Sequence, residues 1–216
     1  MSKTQDLIAK LSSEARVTKP LRKPLHWMLS VFSLLVFYAV ISQIFLGLRV
    51  DIFAQITRPL FFLEVVLMLL LFLTSLASAV LTMYPDLYQK SRLLKLPYVI
   101  FFALLAVLTL QIFTPIDAQM ILPEGNIHKM ECSVCILFLS LIPSAYIFIT
   151  LQKGATVNSS RSGIFAVLAA TALGCLILRL SEANDSIIHL LAWHYLPTFL
   201  FAAIGAILGK LLLRWS

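Results

Sequence analysis

The chain is 216 residues long, 60% hydrophobic and only 12% charged, with a mean hydropathy of +0.95. A soluble domain carries about 25% charged residues, so a single globular core in water is excluded, and six spans of about 20 residues each leave no room for a second soluble domain. The formal charge of +7 goes with the flanks of membrane spans and not with direct nucleic-acid binding, because no pattern of interleaved basic and aromatic residues accompanies it.

The first 25 residues are the one soluble segment of any size. Ser2-Lys3-Thr4-Gln5 fits a capping box, with Ser2 as N-cap and Gln5 reaching back. Thr4, Leu7, Ile8, Leu11 and Ala15 then fall within about 100° of helical arc. Asp6 and Lys10 are spaced as a favourable i,i+4 pair. Pro20 and Pro24 end the helix and stiffen its connection to the first span. A helix of about three turns is marginal alone in water, so this stripe gains order only against a surface. Two surfaces fit: anionic lipid, drawn by the neighbouring Lys and Arg residues, and the groove of a cytoplasmic protein. Burying Leu7, Ile8 and Leu11 gives about 1.5–3 kcal/mol each, against about 2–5 kcal/mol for ordering the segment. Tight capture therefore needs further contacts, from Val17 and Leu21 or from the loop 84–95.

Six apolar runs follow, at 27–46, 60–83, 97–114, 132–151, 163–180 and 187–213. Backbone polar groups cannot reach water in lipid, so each run is expected to be a helix. The first starts late and lacks a small-residue cleavage site, so it reads as a permanent anchor and not as a signal peptide. Span two carries Glu64 and span five carries Arg179, both near the same side of the membrane. Charges at that depth are costly. These two read as snorkelling anchors at the interface, with a Glu64–Arg179 pair as the other arrangement. Pro143 and Pro197 are expected to kink spans four and six. Ala170-x-x-x-Gly174 and Gly205-x-x-x-Gly209 allow close helix approach, within the bundle or across a homodimer.

Basic residues fall in alternate gaps. Lys3, Lys10, Arg16, Lys19, Arg22 and Lys23 precede span one. Lys90, Arg92 and Lys95 follow span two, Lys153 and Arg161 follow span four, and Lys210 and Arg214 close the chain. The other side holds Arg49, Arg58, Lys129 and Arg179, with Asp51, Asp117, Glu124, Glu131, Glu182 and Asp185. The positive-inside rule puts both termini in the cytoplasm. The expected fold is an all-α membrane protein: residues 1–25 form a cytoplasmic amphipathic segment, and residues 26–216 a bundle of six transmembrane helices in a bacterial inner membrane.

Cys132 and Cys135 form Cys-x-x-Cys at the outer end of span four, near His128 and Glu131, and Cys175 lies in span five. His189 and His194 open span six on the same side. Cys132 and Cys135 fit two roles. They are small apolar fillers, or with His128, Glu131, His189 and His194 they make a thiol-redox or soft-metal sensor. One Cys-x-x-Cys in a single helix lacks the second half of a closed zinc site and the strand context of a thioredoxin. No P-loop, GxGxxG, His-Glu-x-x-His or nucleophile–base constellation is present, and no cofactor is expected. A quinone-linked thiol oxidoreductase is the enzymatic alternative, and three cysteines cannot supply the two pairs that its relay needs. A small transporter has only Glu64 and Arg179 as hints, without an internal repeat of the two halves.

Several short motifs in fixed order carry a resemblance. They are Asp6-Leu7-Ile8, Lys19-Pro20-Leu21, Leu48-Arg49-Val50-Asp51 and Tyr84-Pro85-Asp86, followed by Cys132, Pro143, Lys153-Gly154-Ala155, Trp193-His194 and Leu213-Arg214-Trp215. Together they resemble the NrsF-like family of six-span membrane anti-sigma proteins, named for a negative regulator of a sigma-F factor. The resemblance implies an extracytoplasmic-function sigma factor as partner, held inactive at the membrane. The contact would be the N-terminal segment, through Leu7, Ile8, Leu11, Ala15, Val17 and Leu21. It also implies stress sensing by periplasmic-side cysteines. One of these matches Cys132. The other would fall near Leu180-Ser181-Glu182, where this chain has no cysteine.

Overall fold

The computed structural model describes residues 3–14, 21–86, 92–113 and 129–213. Ser2, Ala15, Val17 and His128 lie outside the described residues, as does the side chain of Leu11. In chain order the helices are α1 (Lys3–Glu14), α2 (Pro24–Leu46), the short α3 (Ile52–Ile56), α4 (Pro59–Leu81), α5 (Leu96–Phe113), α6 (Lys129–Leu151), α7 (Ser159–Ser181) and α8 (Ile187–Leu212). Among the described residues there is no strand, and six helices are long and apolar enough to cross a membrane. Each lies within four residues of the run expected for it, because lipid forces an apolar stretch of that length into a helix. The protein is a multi-pass all-α membrane protein.

Local chemistry sets the ends. Pro24 and Pro59 sit in the first turns of α2 and α4, where a missing N–H costs nothing. Asn158 caps α7 by accepting a hydrogen bond from the Arg161 backbone N–H at 3.0 Å. Gly47, at φ +80°, takes the chain out of α2 while its N–H bonds to the Gln43 carbonyl, a backbone turn that favours glycine.

The core is built around α7, whose apolar window is 83% buried. Helices α4, α6 and α8 surround it, α5 lies against α4, and α2 touches α4, α6 and α7. Small residues make this centre possible. A Cβ on Gly163 would stand 2.0 Å from the Gly205 carbonyl oxygen, and one on Gly209 would stand 2.1 Å from that of Ser159. The Gly205-x-x-x-Gly209 stripe therefore packs on α7 of its own chain. Gly174, from the other stripe, faces the backbone of Ile136 and Ser140 on α6.

Both span prolines sit inside helical structure, and each frees a carbonyl four residues earlier. Beside Pro143 the Leu139 carbonyl accepts the Tyr38 hydroxyl of α2 at 2.9 Å. Beside Pro197 the Trp193 carbonyl accepts the Ser133 hydroxyl of α6 at 2.7 Å. A neighbouring helix thus satisfies each group that the proline leaves open. Just before Pro197, α8 widens into a π-helical turn over Leu190–Tyr195.

The two ends of the bundle differ in charge. At the basic end the Tyr84 hydroxyl donates to the Arg22 carbonyl, and the Lys153 ammonium stands 5.1 Å from the Trp27 ring centroid. Gly154 lies against Met83, whose carbonyl accepts the Ala155 N–H. The opposite, acidic end carries Arg49, Asp51, Glu64, Arg179 and Asp185 in one network, with Glu182 in a second cluster beside it.

Candidate functional site at the acidic end

Arg49 follows the α2 terminus and turns inward to 3% exposure. Its guanidinium donates to both Asp51 oxygens at 2.7 and 2.8 Å and to both Asp185 oxygens at 2.9 and 3.0 Å. Its backbone N–H bonds to the Leu180 carbonyl at 3.0 Å. Arg179, also 3% exposed, donates to Glu64 at 3.0 and 3.3 Å and to the Asn184 carbonyl at 3.1 Å. It also lies 2.9 Å from Asp185. Asp185 thus bridges the two arginines. The Phe61 ring faces both guanidinium groups, 4.7 Å from that of Arg179 and 5.4 Å from that of Arg49. The Tyr195 hydroxyl completes the set by donating to Glu64 at 2.6 Å. The reading of Glu64 and Arg179 as separate interface anchors therefore gives way to a buried pair locking α4 to α7. Bidentate geometry and a full complement of bonds make such burial tolerable.

The electrostatics follow from these contacts. The Arg49 guanidinium, helped by Gln55, holds Asp51 well below the usual carboxylate range. Burial works against ionisation of Asp185, yet Arg49 and Arg179 outweigh it and lower its pKa below the ordinary value. A carboxylate whose pKa falls on folding stabilises the fold above its unfolded pKa and loses that contribution as pH drops. The detergent-solubilised protein should therefore lose thermal stability as pH falls below about 4, the ordinary carboxylate range. Asp185→Asn should flatten that dependence, as thermal unfolding followed across pH will read.

Three residues before Asp185, the same connection carries Glu182 into a second cluster. Cys132 Sγ lies 3.5 Å from both Glu182 oxygens. His189 Nε2 is 3.3 Å from Oε1 and His194 Nε2 is 3.2 Å from Oε2. Burial would raise the Glu182 pKa, but the two histidines, His194 foremost, and the Cys132 thiol bring it below the usual value. The π turn builds this cluster. Residues five apart on an α-helix point about 140° away from each other, whereas a π turn closes after about five residues. His189 and His194 therefore stand together, with ring centroids 5.3 Å apart.

Of the sequence's sensor candidates, Cys132 and His189 meet in this cluster. Cys135 does not join it. Three residues on, about 60° round the helix from Cys132, it is exposed. Cys175 is buried beside the cluster, with Sγ 3.0 Å from the Thr198 hydroxyl and 3.6 Å from the His194 carbonyl. In the stretch Leu180-Ser181-Glu182, near which the resemblance implies a second cysteine, Glu182 faces Cys132. His194, read from the sequence beside His189, joins the cluster, whereas Glu182 was not among the sensor candidates. The available signals were the crowding of acids in the gap before span six and Pro197 disturbing the helix just after His194.

Leu7 and Ile8 are 55% and 60% exposed on α1, and Leu21 is exposed ahead of α2 at the basic end. The motifs that carry the resemblance divide between the two ends: Tyr84 and Lys153-Gly154-Ala155 at the basic one, and Arg49, Asp51, Cys132 and His194 at the acidic one.

No curated protein and no solved structure matches the chain. The family model described as negative regulator of sigma F matches residues 11–215, nearly the whole length, and the chain belongs to that family of regulators.

Proposed function

We propose that the protein is an anti-sigma factor of a bacterial inner membrane, with both termini in the cytoplasm. Residues 1–25 hold an extracytoplasmic-function sigma factor inactive, and residues 26–216 anchor the complex in the bilayer and respond to stress from the periplasmic side. The observation that carries this reading is the family match over residues 11–215. The uncovered Leu7 and Ile8 on α1 support the place of contact, because an amphipathic helix with an exposed apolar stripe suits a protein groove. The match begins at Leu11, so the first half of the stripe precedes it and Leu11, Ala15, Val17 and Leu21 fall inside it.

The route from signal to partner runs through the connection 182–185. Glu182 belongs to the Cys132, His189 and His194 cluster, and Asp185 holds Arg49 and Arg179. Reorienting Glu182 moves Asp185, and with it the pair that joins α7 to α4. The loop after α4 reaches the N-terminal neck through the bond from Tyr84 to the Arg22 carbonyl. The signal releases the sigma factor only to the extent that it binds one arrangement of the bundle better than the other.

The test is Leu7→Asp with Leu11→Asp in cells carrying a sigma-dependent reporter. Each buried leucine is worth about 1.5–3 kcal/mol, so losing two weakens the complex roughly a hundredfold or more. Reporter output should rise to the level of a strain lacking the protein, at unchanged membrane abundance. Full repression, with undiminished co-purification of the sigma factor, would place the contact elsewhere.

A further inference from the structure

We propose that Cys132, Glu182, His189 and His194 form a binding site for one divalent transition-metal ion of the zinc class. One thiol sulfur, one carboxylate oxygen and two imidazole nitrogens converge within 4.8 Å of one another. A tetrahedral zinc site holds sulfur at about 2.3 Å and nitrogen or oxygen at about 2.0–2.2 Å, which sets its donors roughly 3.3–3.6 Å apart. Glu182 Oε2 lies 3.2 Å from His194 Nε2 and 3.5 Å from Cys132 Sγ, close to that spacing, while His189 Nε2 meets the other oxygen at 3.3 Å.

His194 supplies an independent argument. It is 1% exposed, its Nε2 has the 3.2 Å contact with Glu182, and its Nδ1 has no hydrogen-bond partner among the described residues. A buried polar atom without a partner costs about 1–3 kcal/mol, which coordination through that nitrogen would remove. The donor set decides the class of ion. Sulfur and imidazole favour zinc, cobalt and cadmium, whereas magnesium and calcium require oxygen donors. Charge agrees. On binding, the Cys132 thiol gives its proton to solvent, and thiolate plus carboxylate then balance the two charges of the ion. A neutral assembly is the form least penalised at the edge of a bilayer. The donors come from the start of α6, the connection after α7 and the start of α8, so an ion would clasp three separate segments.

This inference deepens the sensing role proposed above, and its part in signalling rests on that reading. The binding is tested without it, on the full chain purified in detergent with no partner present. Titration with Co²⁺ should saturate at one equivalent. It should give the visible absorption of a tetrahedral site and a near-ultraviolet sulfur-to-cobalt band, both bleached by one equivalent of Zn²⁺. Cys132→Ser should abolish the sulfur band. Glu182→Gln and His189→Ala should each weaken binding at least about tenfold. Cys135→Ser should leave the titration unchanged. Failure of the folded wild-type protein to take up stoichiometric cobalt overturns the site, as does a cobalt spectrum indifferent to both Cys132→Ser and His189→Ala. The reporter assay is read separately, so loss of the metal site and loss of the anti-sigma reading are distinguishable.

Discussion

Replacing Glu64 by alanine should destabilise the bundle by about 3 kcal/mol, at the lower end of the cost of breaking a buried ion pair. Glu64 and Arg179 are 2% and 3% exposed, so neither recovers its partner from bulk water. Arg179 keeps Asp185 and the Asn184 carbonyl, which is why the lower end applies. The Tyr195 hydroxyl loses its carboxylate acceptor and retains the Met68 sulfur at 3.2 Å. For a protein of this size the loss corresponds to a fall of roughly 6–12 °C in melting temperature, measurable by size-exclusion thermostability in detergent. The double replacement Glu64→Leu with Arg179→Leu should cost less than the sum of the two single changes, because it removes the pair as a unit and strands no charge. Strict additivity would mean that the two side chains do not act together.

The second large effect belongs to the glycines between α7 and α8. At Gly163 and Gly209 an added Cβ meets backbone atoms at 2.0 and 2.1 Å, and backbone cannot rotate away as a side chain can. Even Gly209→Ala must push the two helices apart, at about 1–3 kcal/mol for overpacking, and Gly209→Leu should exceed that range. Gly174→Ala should be milder, since its nearest neighbour, the Ile136 carbonyl oxygen, lies at 3.2 Å. Fluorescent-fusion yield and melting in detergent give the order. If Gly209→Leu folds as well as Gly174→Ala, the close crossing of α7 and α8 is wrong.

The lipid-crossing elements were legible from the sequence because one physical demand, backbone satisfaction in hydrocarbon, fixes length and helicity together. The short α3 and the π turn were not. Neither has an apolar period of its own, and both answer to local connections and to the proline that follows the turn. The same distinction governs the acidic end. Cys132 and His189 stood out as residue types with chemistry, whereas Glu182 read as one more outer acid. Its role depends on a connection folding back against α6, which no periodicity encodes. Glu64 and Arg179 read as interface anchors because both lie near the outer ends of their spans, where snorkelling is cheap, with their pairing as the other arrangement. Only the packing of α4 on α7 makes them one feature. The proline effects split in the same way: position alone announces a freed carbonyl, but the hydroxyls of Tyr38 and Ser133 that answer it come from other helices.

The separation of 115 residues between Glu64 and Arg179 has a meaning in time. At about 5–20 residues per second, the ribosome makes Glu64 some 6–23 seconds before Arg179 exists. The helix at the centre of the bundle is the fifth of six to emerge, so the earlier ones wait at the insertion machinery without the partner they will surround. Through that interval the lone carboxylate must stay near the aqueous boundary or be sheltered by the translocation channel. Chains halted before Ser159 should therefore be substrates for membrane quality control and not folding intermediates on their way to a stable half.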